Sequence, residues 1–314
     1  MAIGFETLRI AVLGGGVSCE REISLISARQ AFDALKQHGL DVVLVDIKSR
    51  EKESVRHELL SQGADIAFIA LHGEFGEDGK IQTILEELDI PYTGSDPRAS
   101  YLAMDKIASK KIFLREGVPT ADFYVCEKGK PCDFPAEYPV VVKPYYAGSS
   151  LGVSIVRSRE AFARAREDAF SIQSKVLIED YIEGREFTVG ILEDRALGVV
   201  EIVPHQGYFD FQTKYTDGQV DFVAPAKLPQ PLYEQIQAVS LAAHRALGCR
   251  HFSRVDVLIN KEGLPFVLEV NSIPGLTSHS LLPLSAHCCG IAFDGLILKM
   301  LLLAYHEKKH TQKV

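Results

Sequence analysis

Residues 254–271 read RVDVLINKEGLPFVLEVN, two apolar segments around a polar turn at 261–264. Side chains alternate across a strand, so Arg254 and Asp256 share one sheet face, and Glu269 and Asn271 share one likewise. A chain reversal within 261–264 makes the numbers of paired residues sum to a constant. Residue 260 then faces 265, Asp256 faces Glu269, and Arg254 faces Asn271. Val255, Val257, Leu268 and Val270 point to the opposite, buried face. Two carboxylates directly across a ladder repel. A hard cation between them, with the Asn271 amide oxygen as a further ligand, gives the arrangement a purpose. The competing reading is a solvated charged face with the register shifted by two.

Outward from this hairpin the pattern is α/β. Residues 8–13 form an apolar strand ending in Gly14-Gly15-Gly16. A helix follows with Leu25, Ala28, Phe32 and Leu35 on one face and Gly39 as its stop. Strands at 42–45 and 66–71 complete a βαβαβ pattern, which implies a parallel sheet with right-handed crossovers. Ligands of such sheets lie off the carboxyl ends of the strands, and this places 14–18 and His72-Gly73 on one functional edge. A second unit begins near Pro97, with a helix over 104–115, strands at 140–143, 153–156 and 175–179, and a loop at 147–152. A third opens near Gly184 with an antiparallel pair at 187–192 and 197–203. It continues through a polar, aromatic-rich loop from 204 to 224 and a helix near 232–247. Residues 291–305 read as a core helix, too short and too charged to span a bilayer. The tail from Lys308 reads as disordered.

Composition narrows the classes. A chain of 314 residues with 46% apolar and 24% charged content suits a globular protein of two or three lobes. A formal charge of -8 speaks against nucleic-acid binding. It leaves room for an anionic ligand gripped by a few focused lysines. The N-terminus lacks the pattern of a secretory signal, so the cytoplasm is the expected compartment. The six scattered cysteines, with no CxxC pair, are then expected to be reduced.

Several residues invite chemistry. Lys143 closes the apolar strand Val140-Val141-Val142 just before Gly148-Ser149-Ser150-Leu151-Gly152, a loop whose N–H groups could wrap phosphate oxygens. It is not a Walker A sequence, because no Gly-Lys-Ser/Thr ends it. Gly14-Gly15-Gly16 with Asp46 mimics a dinucleotide fingerprint, yet Cys19 stands where the third glycine belongs. Glu20 and Glu22 suit the first turn of a helix; Glu20, near the ligand edge, also suits a substrate ammonium. For His72 a structural hydrogen bond and a functional role stand equal.

Taken together, these segments resemble the D-alanine–D-alanine ligase family of the ATP-grasp superfamily. The motifs run in order over residues 8 to 305. They are LGGGVSCERE (13–22), ALHG (70–73) with GEDG (76–79), YTGS (92–95), MDK (104–106) and VKP (142–144) with GSS (148–150). EGREFTV (183–189), Lys214-Tyr215, RVD (254–256) and EVNSIPGLTSHS (269–280) complete the set.

The resemblance implies a three-lobed ATP-grasp fold, α/β in the N-terminal parallel sheet and α+β in the ATP-binding lobes, divided at 1–96, 97–183 and 184–314. ATP would lie between the last two. Lys106, Lys143 and Lys214 would bind its phosphates, with the Ser149–Ser150 loop closing over them. Glu179 to Ile182 would read adenine, and Glu186 would take the ribose. Asp256, Glu269 and Asn271 would hold two Mg²⁺ ions, with Mn²⁺ as a substitute. One D-alanine carboxylate would attack the γ-phosphorus to give an acyl phosphate, which the amine of a second D-alanine would attack, yielding a peptidoglycan precursor. Glu20, with His72, would hold the first substrate. Arg254 and the Gly275 N–H would stabilise the oxyanion, and Ser280 would bind the second carboxylate. Tyr215, linked to Ser149 and Glu20, would close the site. Relatives of this kind suggest a homodimer. The pair Lys214-Tyr215 favours an amine over a D-lactate nucleophile. Ala147 departs from the family, many members of which carry glutamate there, and the Tyr145-Tyr146 pair has no role assigned by the resemblance.

Overall fold

A computed structural model describes residues 7–149, 151–205 and 219–311, with side chains to residue 307. Strand β1 (Arg9–Gly15) leads through α1 (Arg21–Gln37) to β2 (Asp41–Ile47), and through α2 (Lys52–Gln62) to β3 (Ile66–Ile69). These strands pair in parallel in the order β2-β1-β3. Ile10, Ala11, Val12 and Leu13 are wholly buried, as a central parallel strand covered on both faces requires. Gly14 lets α1 approach the strand end, because a Cβ there would run into the Ala28 methyl. The same core takes in Leu296, Ile297, Met300, Leu301 and Ala304 from the last helix, α9 (Phe293–Thr311). Helical structure therefore reaches Thr311, beyond the Lys308 where disorder is expected. The apolar face of α9 anchors it to the N-terminal core.

The next elements are α3 (Lys80–Glu87), α4 (Pro97–Met104) and α5 (Lys106–Glu116). The helix expected over 104–115 is α5, which starts at Lys106 because Asp105 takes an extended conformation and caps it by accepting from Ala108 N. Strands β4 (Phe123–Glu127), β5 (Val140–Pro144), β6 (Ser154–Val156) and β7 (Lys175–Asp180) form an antiparallel sheet in the order β4-β7-β5-β6. Helix α6 (Arg159–Ile172) packs Phe162, Ala165 and Ala169 into this sheet's core. Cys126 at the end of β4 and Cys132 are joined as a disulfide, with Cα atoms 5.4 Å apart. The expectation of six free thiols is corrected for this pair: the chain turns back after Glu127, whose carbonyl accepts from Lys130 N, and brings the two together.

The larger antiparallel sheet joins β8 (Gly184–Leu192), β9 (Arg195–Pro204), β10 (Val220–Val223), β11 (Phe252–Asn260) and β12 (Pro265–Asn271) in the order β10-β9-β8-β11-β12. It packs on α7 (Gln230–Ala246) and α8 (Leu281–His287). Residues 220–223, expected within a loop, form the edge strand β10, paired with β9. Ala103 of α4 and Phe113 of α5 share a core with Phe187, Val189, Val255 and Val270. The helices that follow Pro97 thus pack on the C-terminal sheet.

Candidate active site

At its far end the hairpin β11–β12 has the expected register, with Arg254 opposite Asn271 and Asp256 opposite Glu269. Towards the turn the register shifts by one. Val257 pairs with Val267 and Ile259 with Pro265, so 260 does not face 265. The cause is a β-bulge, which inserts one residue into β12 and breaks the strict alternation of sides. Val267 takes the core position, while Leu268 turns with Glu269 towards a cavity. The expectation that Leu268 is buried with Val255 and Val270 is therefore corrected.

That cavity, of about 330 Å³, lies between the two antiparallel sheets. Its apolar lining includes Val141, Ile155, Ile202, Leu258 and Leu268, and its polar lining includes Lys106, Lys143, Glu179, Glu186, Asp256 and Glu269. Tyr181 and Ile182, which follow β7, form part of its rim. A cavity lined by both apolar side chains and charged groups suits a heterocycle carrying charged substituents. Lys214, Tyr215 and Ser150 lie outside the described residues.

Asp256 is the most constrained carboxylate of the site. Arg254 donates from Nε to Oδ1 at 2.9 Å and from Nη2 to Oδ2 at 2.8 Å, a bidentate pair. Thr188 Oγ1 donates to Oδ1 at 2.6 Å, and Asn271 Nδ2 to Oδ2 at 3.2 Å. Thr188 escapes sequence reasoning because it faces Asp256 only through the pairing of β8 with β11. Burial works against the Arg254 guanidinium, yet Asp256, Glu269 and Glu77 outweigh it and hold its pKa above the ordinary value. Across the ladder, Glu269 Oε2 lies 3.0 Å from Lys106 Nζ. With the Asn271 NH₂ directed to Asp256, its amide oxygen is the atom left to a ligand. Among the described residues no three His, Cys, Asp or Glu side chains gather into a metal cage. Two opposed carboxylates and an amide oxygen nevertheless fit a hard cation that completes its shell with water and phosphate.

The lysines converge on the same cavity. Lys106 Nζ also donates to Ala147 O at 2.8 Å, and Lys106 N to Tyr145 O at 2.9 Å. The loop is thus held through its backbone at Tyr145 and Ala147. Tyr146 adds a carbonyl that accepts from Gln173 Nε2 and a ring against Tyr101. Lys143 Nζ lies 2.7 Å from Glu179 Oε2, and Lys110 Nζ lies 2.9 Å from Oε1. Desolvation pushes the Glu179 carboxyl up, but Lys143 and Lys110 outweigh it and keep it below the ordinary range.

Glu20, at the N-cap position of α1, accepts a short hydrogen bond from Ser149 Oγ, which joins the N-terminal sheet edge to the small-residue loop. The φ of +73° at Gly73 favours glycine, and a Cβ there would fall 2.6 Å from Glu20 Oε2 and displace that carboxylate. Ser18 Oγ donates to His72 O at 2.7 Å, placing 14–18 and His72 on one edge as expected. The His72 ring is buried, with Nε2 2.9 Å from Ser27 Oγ and Nδ1 3.2 Å from Ile273 O. Glu77 lies 3.6 Å from Nδ1. Burial raises the Glu77 pKa and the charge of Glu20 adds to the rise, against the opposing pull of His72. Ser280 Oγ sits 2.8 Å from Thr277 Oγ1 and beside the Gly275 backbone, where a Cβ would come within 2.9 Å of it. Asp46, part of the apparent dinucleotide fingerprint, is instead paired with Arg21 at 2.9 Å.

Comparison with known proteins agrees with this arrangement. The family models for the D-ala D-ala ligase N-terminus and C-terminus match residues 48–95 and 112–302. The chain is 46% identical over 303 residues to the D-alanine–D-alanine ligase of Geobacter sulfurreducens, covering 95% of each chain. It is 45% identical to that of Geotalea uraniireducens over 302 residues, covering 95% of this chain and 96% of the relative. Among solved structures, a Bacillus anthracis D-alanine–D-alanine ligase complexed with ATP superposes with a TM-score of 0.85 at 33% identity, over 97% of this chain and all of that one. The D-Ala:D-Ser ligase VanG of Enterococcus faecalis gives 0.82 at 29% identity, over 95% and 99%. With its parallel N-terminal sheet and a cavity between two antiparallel sheets, the chain has the ATP-grasp fold and belongs to the D-alanine–D-alanine ligase family.

Proposed function

We propose that this protein joins two D-alanine molecules at the expense of ATP, with nucleotide in the cavity between the antiparallel sheets and amino acids at the edge marked by Glu20, Arg254 and Ser280. The observation that carries the reading is the pair Asp256 and Glu269, opposed across a ladder at the polar end of that cavity beside Lys106. The lobes 1–96, 97–183 and 184–314 are part of the proposal. So are a homodimer and a cytoplasmic setting. No helix among the described residues is long and apolar enough to cross a membrane.

The residues take complementary roles. Lys106, Lys143 and Lys214 meet the phosphates, Ser150 closes over them, residues 179–182 meet adenine, and Glu186 meets ribose. Asp256, Glu269 and Asn271 would hold Mg²⁺, or Mn²⁺ in its place, which neutralises charge on the transferring phosphoryl group. Glu20 orients the first D-alanine by its ammonium, and His72, tied to Ser27 and Ile273, supports that pocket. The substrate carboxylate forms a bond to the γ-phosphorus as the bond to ADP breaks. The second amine then forms a bond to the acyl carbon, losing a proton as phosphate departs. Arg254 and the Gly275 N–H meet the oxyanion between those events. Ser280 holds the second carboxylate. Ser149 and Tyr215, linked to Glu20, exclude water from the acyl phosphate. The test is incubation with ATP, Mg²⁺ and D-alanine while phosphate and dipeptide are measured. Equal amounts of both, dependent on D-alanine, are expected. Phosphate release without D-alanine, or none at all, would sink the proposal.

A further inference from the structure

Lys110 has no part in the roles above, yet it is among the most deeply buried side chains of the molecule, at 1% exposure. Nothing compels a lysine here for stability, because a well-packed apolar side chain is commonly as good or better in a buried ion cluster. Its surroundings are specific. Nζ meets Glu179 Oε1 at 2.9 Å as an ion pair, without the alignment of a hydrogen bond. It donates to Thr120 Oγ1, which in turn donates to Val267 O at 2.8 Å. The Phe123 ring lies 5.4 Å away. The other oxygen of Glu179 is taken by Lys143, which lines the cavity.

The charge balance of this cluster has a consequence for the cavity. Glu179 with Lys143 alone would be a neutral pair, and a phosphate arriving at Lys143 would feel the carboxylate behind it. With Lys110 present, the three groups sum to one positive charge; Lys143 and Glu179 both line the cavity, while Lys110 stands outside it as the charge that offsets Glu179. Asp122, the remaining charge near Lys110, is solvent-exposed and therefore screened. The relay through Thr120 also ends on β12 at Val267, one residue before the two that the bulge turns into the cavity.

We infer that Lys110 is a positioning residue for the nucleotide: it offsets Glu179 so that Lys143 keeps its positive charge for phosphate. This rests on the proposal that the cavity takes ATP. Lys110 touches no substrate; it acts through Glu179.

The test is calorimetric titration of ATP with Mg²⁺ into four proteins, namely the wild type, K110M, K110Q and K110M/E179Q, each checked for folding by circular dichroism. Loss of a unit charge so close to the binding group should weaken ATP by about tenfold or more in K110M. K110Q, which keeps a donor for Thr120 and loses only the charge, should weaken it equally. The double variant K110M/E179Q frees Lys143 again. Because residues 179–182 meet adenine, it is read with inorganic triphosphate and Mg²⁺, which carry no adenine. It should recover most of the wild-type affinity for that probe, a rescue that a purely packing role would not give. K110M or K110Q binding like the wild type would overturn the inference alone. A folded double variant that binds inorganic triphosphate as weakly as K110M does would overturn it too. If the wild type takes up no ATP, the nucleotide reading falls and this inference with it.

Discussion

Thr188→Val isolates one hydrogen bond at the base of the site. The Thr188 hydroxyl has a single proton and two acceptors in range, Asp256 Oδ1 at 2.6 Å and Val255 O at 3.4 Å. The nearer, charged acceptor takes it, because charge-assisted bonds are about twice as strong as neutral ones. Valine is nearly isosteric, so little packing is lost. Thr188 is fully buried and Asp256 nearly so, leaving no water to replace the donor. A hydrogen bond to a charged group contributes about 1.5–3 kcal/mol, and the melting temperature should fall accordingly. Arg254 keeps its bidentate grip on Asp256, so the chain stays folded. Loss of the donor that fixes Oδ1 should raise the Mg²⁺ needed for half-maximal D-alanine-dependent phosphate release by about 10-fold or more. Thr188→Ser retains the donor and should restore the Mg²⁺ requirement, leaving only the loss of a methyl group. A T188V protein with wild-type melting temperature and wild-type Mg²⁺ dependence would refute the reasoning.

Three further outcomes follow from the same structure. Glu269→Ala should abolish turnover with far-ultraviolet circular dichroism unchanged, because Lys106 still has Ala147 O as a partner; full activity would refute the assignment of Glu269 as a cation ligand. Gly14→Ala should destabilise the protein by about 1–3 kcal/mol through overpacking against Ala28, read by thermal denaturation. His244 is desolvated between α7 and β11, which lowers its pKa from an ordinary 6.5 to about 4. Its folded value lies below its unfolded value, so its contribution is complete above pH 6.5 and is lost as pH falls towards 4. The size is about 3 kcal/mol. Denaturant melts at pH 7.5 and 4.5 should show more of this loss in the wild type than in His244→Gln.

The sequence reaches as far into the fold as local periodicity does. Asp256 opposite Glu269 follows from a period of two and one turn, and the structure keeps that pairing. The same rule fails at the next pair, because the bulge before Glu269 leaves no mark in composition, and Leu268 exchanges the core for the cavity. Helix α6 carried a legible signal in Phe162, Ala165 and Ala169, a spacing of three and four that sequence reading passed over. Strand β10 carried little, since a half-exposed edge of four residues resembles a loop. Thr188 and Lys110 are of another kind. Each matters because of a partner roughly 70 residues distant in the chain, Asp256 for one and Glu179 for the other, brought together by the pairing of β8 with β11 and by the seat of α5 beside β7. A single sequence holds no local trace of such pairings.

How a chain of net charge -8 could hold a polyanion is answered by the way its cavity is neutralised. Lys106 rests on Glu269, Arg254 on Asp256, and Lys143 on Glu179. Each of these cations has a carboxylate beside it, Glu179 being shared with Lys110, so none of them is buried without a partner. Under the proposed reading, ligand entry is an exchange of partners. Asp256 and Glu269 would hold a hard cation, which would supply positive charge there, and Lys106, released from Glu269, would be free to meet phosphate. Cation and phosphate would then favour each other, because a cation on Glu269 would leave Lys106 in want of an anion. The favourable step is the paired one, and the diffuse negative charge of the surface has little bearing on it, since exposed charges beyond a Debye length are screened while those in the cavity are not.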